Sequence, residues 1–134
     1  MSFLFNGGAH QLLSGGIDWE NDTIKARLVA TSELPDQDAI AMTGIGIAAT
    51  DQALGGKAGP TKNDSDDRIE YRAGDPTFPA VEAGPAINQM AIYKFVTDDS
   101  DSSPIALVDL SEVTPNGGAI AVTFDAAGAF YLQQ

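Results

Sequence analysis

Apolar and polar residues alternate along several stretches of the chain, and these stretches predict its strands. Ile24-Lys-Ala-Arg-Leu-Val-Ala alternates aliphatic with basic residues before turning wholly apolar. Successive side chains of a strand point to opposite faces, so the spacing predicts a strand with Lys25 and Arg27 turned to water. Gln89-Met-Ala-Ile-Tyr-Lys-Phe-Val is apolar on both faces and predicts a central strand covered on each side. The polar loop Asp98-Asp-Ser-Asp-Ser-Ser103 leads through Pro104 into Ile105-Ala-Leu-Val-Asp-Leu, so the two strands are expected to pair antiparallel. Arg68-Ile-Glu-Tyr-Arg is a shorter alternation. After the turn signal Pro115-Asn-Gly-Gly118, Ala119 to Asp125 places Ile120, Val122 and Phe124 on one face, and a last strand starts at Ala129.

One segment has helical character. Ala9-His-Gln-Leu-Leu-Ser lies between Asn6 and Gly15-Gly16, which read as a cap and a glycine terminator. At barely two turns it depends on tertiary contacts. From Ser32 to Asp67 the period fades: a turn or a single helical turn over 33–38, a small strand from Thr43 to Thr50 and a bend at Leu54-Gly-Gly-Lys are expected there. Two prolines in Asp75-Pro-Thr-Phe-Pro-Ala-Val fit an edge strand or an extended crossing. Short strands, Gly/Pro/Asp turns and a single short N-terminal helix predict an all-β fold, an antiparallel β-sandwich or a jelly-roll-like partly closed barrel. With no repeat and no linker, residues 1–134 read as one domain.

Composition narrows the function. The chain carries seven basic and nineteen acidic side chains, a formal charge of −12, which repels phosphate backbones, so nucleic acid is not expected as a partner. No cysteine is present, which removes disulfides, thiolate metal sites and cysteine nucleophiles. No apolar run approaches the roughly 20 residues needed to cross a bilayer, and the first residues lack the basic region of a secretion signal, so synthesis and use from the cytoplasm, away from membranes, are expected.

The candidate chemistry is thin. His10 is the single histidine and stands one helical turn from Ser14, but no Gly-x-Ser-x-Gly elbow accompanies the pair. The acidic loops Asp64-Ser-Asp-Asp67 and Asp98-Asp-Ser-Asp101 offer oxygen ligands for Ca²⁺ without the Gly and Glu of an EF-hand loop, and solvated loop charge is the plainer reading. The glycines of Thr43-Gly-Ile-Gly-Ile and Leu54-Gly-Gly-Lys-Ala-Gly read as turns rather than a phosphate cradle. Trp19, Tyr71, Phe78, Tyr93 and Phe95 are expected in the core instead of a ligand pocket. No catalytic residue, cofactor or metal site is assigned, and the chain is not expected to be an enzyme.

Taken in order, the segments Gly8-Ala-His-Gln-Leu-Leu, Ile17-Asp-Trp-Glu-Asn-Asp-Thr-Ile-Lys-Ala-Arg-Leu-Val, Leu54-Gly-Gly-Lys, Asp75-Pro-Thr-Phe-Pro-Ala-Val, Ala91-Ile-Tyr-Lys, Pro104-Ile-Ala-Leu-Val-Asp, Pro115-Asn-Gly-Gly and Val122-Thr-Phe-Asp resemble a family of small virion structural proteins of tailed bacteriophages. The resemblance spans most of the chain and is weakest from Pro35 to Ala53. It implies a virion component, such as a capsid decoration or cement protein seated where capsomers meet, with the major capsid protein or other virion proteins as partners and a homotrimer as its own assembly. A tail, head-fibre or adaptor component, and a carbohydrate- or receptor-binding β module, are the alternatives. The apolar Phe3, Leu4 and Phe5 are the candidate partner-binding residues: residues 1–8 read either as a docking arm or as the first edge strand of the chain's own core.

Overall fold

In a computed structural model the structure describes residues 2–46 and 50–133. The chain is mostly β and all its strand pairs are antiparallel. Strand β1 (Phe3–Leu4) leads into helix α1 (Asn6–Ser14), followed by β2 (Ile24–Ala30), β3 (Gln52–Ala53), β4 (Ala58–Asn63), β5 (Arg68–Arg72) and β6 (Thr77–Phe78). Then come β7 (Ile87–Lys94), β8 (Ser103–Val113), β9 (Ile120–Ala121) and β10 (Phe130–Gln133). A five-stranded sheet has the order β1-β8-β7-β2-β3, a three-stranded sheet the order β10-β5-β4, and β6 pairs with β9. The sheets do not close into a barrel.

The period-two segments form the centre of the large sheet. β7 lies between β2 and β8, and its buried residues run almost without interruption from Ile87 to Tyr93, as expected of a strand covered on both faces. On one face, Ile24, Ala26 and Leu28 of β2 and Met90 and Ile92 of β7 join the main core. Opposite them, from the smaller sheet and its approaches, come Trp19, Tyr71 and Phe130. The Tyr71 and Phe130 rings stack at 4.7 Å between centroids, and Trp19 meets both edge-on at 5.7 and 5.2 Å. Burying each such aromatic side chain is worth about 1.5–3 kcal/mol, and the indole N–H is satisfied by Arg72 O at 2.9 Å. The other face carries a second cluster of Phe5, Val29, Met42, Ile45, Ala91, Tyr93 and Leu107, roofed in part by the segment from Ala39 to Ile45.

The helix differs at its start from the sequence expectation. Phe5, with extended backbone, is the N-cap and has no side-chain cap bond, while Asn6 is already helical and its amide donates to Asp38 instead. Tertiary contact holds this short helix: a Cβ on Gly8 would lie 2.6 Å from the Ile105 Cα and the Pro104 carbonyl oxygen, so glycine lets α1 press against β8. The C-terminus follows the expectation, with Gly15 in the left-handed conformation. Residues 43–46 of the expected strand from Thr43 to Thr50 form a turn and bend, and 47–49 lie outside the described residues. β4 had no sequence signal; its polar, largely exposed residues are extended because they pair with β5.

Candidate partner-binding cleft

The Arg27 face of the large sheet and its β8 edge end in different ways. On the second face, Arg27 does not reach water as the alternation suggested, and its side chain is only 12% exposed. Its guanidinium donates to Asp51 at 2.8 Å, to Asp99 at 2.7 Å and to the carbonyl of Ile45 at 2.9 Å. The Tyr93 hydroxyl donates to the same Asp51 carboxylate. Period two identifies the face of a strand but not what covers it, and here the approach to β3, the 42–46 turn and the 97–103 loop all converge on one cation. The Asp51 hydrogen bond, above all, holds Arg27 protonated well beyond its ordinary range. Burial and the Asp51 hydrogen bond push the Tyr93 phenol up. Gly46 adopts φ +90°, and a Cβ there would lie 2.2 Å from Arg27 Cδ, so the turn can fold over the guanidinium only with glycine at that position. Lys25 is also drawn in, with its ammonium 3.6 Å from the centre of the Phe95 ring.

The acidic loops are occupied by their own backbone. Asp101 accepts from the amides of Thr97 and Asp98 at 3.0 Å, which lowers its pKa, and Asp98 accepts from Ser100 N. In the other loop Asn63 Oδ1 accepts from Ser65 and Asp66 and closes the turn between β4 and β5. No group of three or more metal-ligating side chains gathers among the described residues. Beside this turn Glu70 is almost fully buried: it accepts from Asn63 at 2.9 Å and Arg68 at 2.7 Å, and from Arg72. The Asn63 and Arg68 bonds lead in lowering its pKa to about 2.

On the main-core side the molecule stays open. A cleft of about 1280 Å³ runs between a wall made by β1 and β8 and a wall made by residues 119–131, with Arg68, Glu70 and Arg72 at its margin. Its origin lies in the strand pairing. Among the described residues β1 pairs with β8 through Phe3↔Leu107 and Leu4↔Ala106, and Ser2 Oγ then accepts from Asp109 N at 2.9 Å. Past this point no strand among the described residues pairs with the outer edge of β8, although β8 continues to Val113. The inner edge is also irregular. Gln89↔Asp109 is followed by Ile87↔Val113, so two extra residues of β8 bulge against β7. Opposite, β10 pairs with β5 and with no other strand among the described residues. The cleft is therefore a gap between two sheet edges, lined by half-buried apolar groups such as Leu110, Val113 and Phe124.

Of the residues singled out in the sequence, Phe5 is fully buried in the second cluster, where Phe3 meets its ring edge-on at 5.0 Å. Phe3 and Leu4 are half-buried and belong to the edge strand and to the rim of the cleft. Phe5 is thus held by the chain itself, while Phe3 and Leu4 border the gap. His10 is exposed on α1, and no hydrogen bond joins it to Ser14 among the described residues. Trp19, Tyr71, Phe78 and Tyr93 are core residues, so Trp19 is not presented to a sugar; Phe95 is half-buried. The open end of β8 is barely marked in the sequence. Its only trace was the run Asp109 to Val113, where the apolar pattern of the strand gives way to alternation with polar residues. Compared with family models, curated proteins and solved structures, the chain finds no match.

Proposed function

We propose that this protein is a virion structural module of a tailed bacteriophage, a decoration or cement protein that binds major-capsid subunits and bridges them, acting as a homotrimer at their junctions. The cleft is the observation that carries the binding role: it combines an unpaired strand edge with apolar side chains that the chain itself only half covers. Large concave surfaces with these properties are suited to protein partners. The virion setting rests on the ordered segments from Gly8 to Asp125 that resemble phage structural proteins. A threefold assembly multiplies a modest contact at each site, so one cleft per copy is enough for firm attachment.

Native mass by light scattering, followed by co-sedimentation with capsid shells of the corresponding phage, tests this reading. A trimer that sediments with shells in many copies is the expected result. A monomer that stays in the supernatant contradicts it.

A further inference from the structure

We propose that the cleft accepts an extended segment of the partner as an added strand along the free edge of β8, and that this segment alternates aliphatic with basic side chains. The inference deepens the reading of the protein as a module that binds other proteins and rests on it. Three observations lead to it. Among the described residues β1 pairs with β8 at Ala106 and Leu107 and Ser2 bonds the amide of Asp109, while β8 extends to Val113, so the outer edge of 110–113 has no strand partner among them. The bulge opposite Ile87 and Gln89 bends this part of β8, a common device where a sheet edge is re-aimed toward a ligand. Across the gap, Phe124 and the residues before β10 supply the apolar floor that alternate side chains of an inserted strand would meet.

Charge selects the occupant. Arg68 and Arg72 at the margin are both tied to Glu70, whereas Glu112 on the β8 wall and Asp125 on the facing wall have no cationic partner among the described residues. A basic segment complements them. A second copy of this chain is a poor source of one. Of its seven basic side chains, Arg27, Arg68, Arg72, Lys62 and Lys94 pair with its own carboxylates, Lys57 bonds the carbonyl of Asp22, and Lys25 lies on Phe95. A neighbour of opposite charge is therefore the occupant that fits.

The test uses the full chain and a fluorescent synthetic peptide of alternating valine and lysine. Controls are the same peptide N-methylated at every second residue and one with glutamate replacing lysine. Glu112→Lys is compared with Glu82→Lys, which makes the same change of net charge on an exposed residue outside the cleft. Expected are binding of the valine–lysine peptide, its loss on N-methylation or on the switch to glutamate, and about tenfold weaker binding for Glu112→Lys but not for Glu82→Lys. Equal binding of the N-methylated peptide overturns the added strand, leaving charge attraction alone. Absence of peptide binding by a chain that still sediments with shells overturns the inference and leaves the proposed function standing. Self-association that protects the 110–113 amides without peptide assigns the cleft to a second copy and also overturns it.

Discussion

One face of the large sheet and its β8 edge solve the same problem in opposite ways. Around Arg27 three segments distant in sequence converge on a single guanidinium: Asp51, Asp99 and the Ile45 carbonyl accept its hydrogen bonds, and the Tyr93 hydroxyl donates to the same Asp51 carboxylate. Between β8 and residues 119–131 no backbone pairing joins the two walls among the described residues, and apolar side chains line a gap. A side chain buried with all its partners contributes to one folded state and has little left for another molecule. An unpaired edge contributes little to folding and remains available. The sealed face should therefore control stability, and the open edge binding.

Substitutions can separate the two. Arg27→Ala leaves Asp51 and Tyr93 without their cation in a largely buried setting; breaking such a network by removing one partner costs about 3–5 kcal/mol, and a large fall in the urea midpoint is expected. Gly8→Ala places a methyl group against the Ile105 backbone and is expected to cost about 1–3 kcal/mol, read in the same denaturation experiment. Glu112→Lys, on an exposed part of the cleft wall, should change stability by less than about 0.5 kcal/mol while weakening attachment to shells. If Arg27→Ala were stable, or Glu112→Lys unfolded the chain, the division between face and edge would be wrong.

Titration sharpens the same contrast. The folded pKa of Glu70 is lowered to about 2 from an ordinary 4.5, so its stabilising contribution is complete above the unfolded value and is lost as pH falls from near 4.5 toward 2. Asp99, held down by Arg27, acts in the same direction. Glu70→Gln should flatten the acid side of a plot of stability against pH, and an unchanged slope would contradict the Asn63–Arg68–Arg72 arrangement. At the alkaline end Tyr93 is displaced upward, so its contribution is present below the unfolded tyrosine pKa and is lost as pH rises. Its phenolate absorbance should appear together with unfolding and not before. The smallest expected effect is on Trp19: with its indole 2% exposed, acrylamide should quench its fluorescence only weakly in the folded chain.

What could be read from the sequence follows from what each residue meets. β2, β7 and β8 were legible because burial on one or both faces imposes an apolar period. For the same reason Ile120 and Val122 are buried although only Ile120 and Ala121 are paired as strand. Most of the aromatic core was legible, because Trp19, Tyr71, Phe78 and Tyr93 have few other places in a chain with few large side chains, whereas Phe95 is only half-buried and Phe130 was not singled out. Arg27 was misread because alternation reports which face a side chain takes and not which loop lies over it. β4 was invisible because its extension is imposed by β5 and needs no apolar residues of its own. The cleft was hidden for a related reason: where pairing ends is decided by the register between β1 and β8, and a bulge of two residues leaves no mark in composition.

The most direct test of the central claim is amide hydrogen exchange on the chain free and attached to its partner shell. Slowed exchange concentrated in Asp109–Val113 and in residues 119–131, with the Arg27 side unchanged, is the predicted result. Protection confined to residues 31–46 and 97–103 would place the partner on the sealed face and contradict the account.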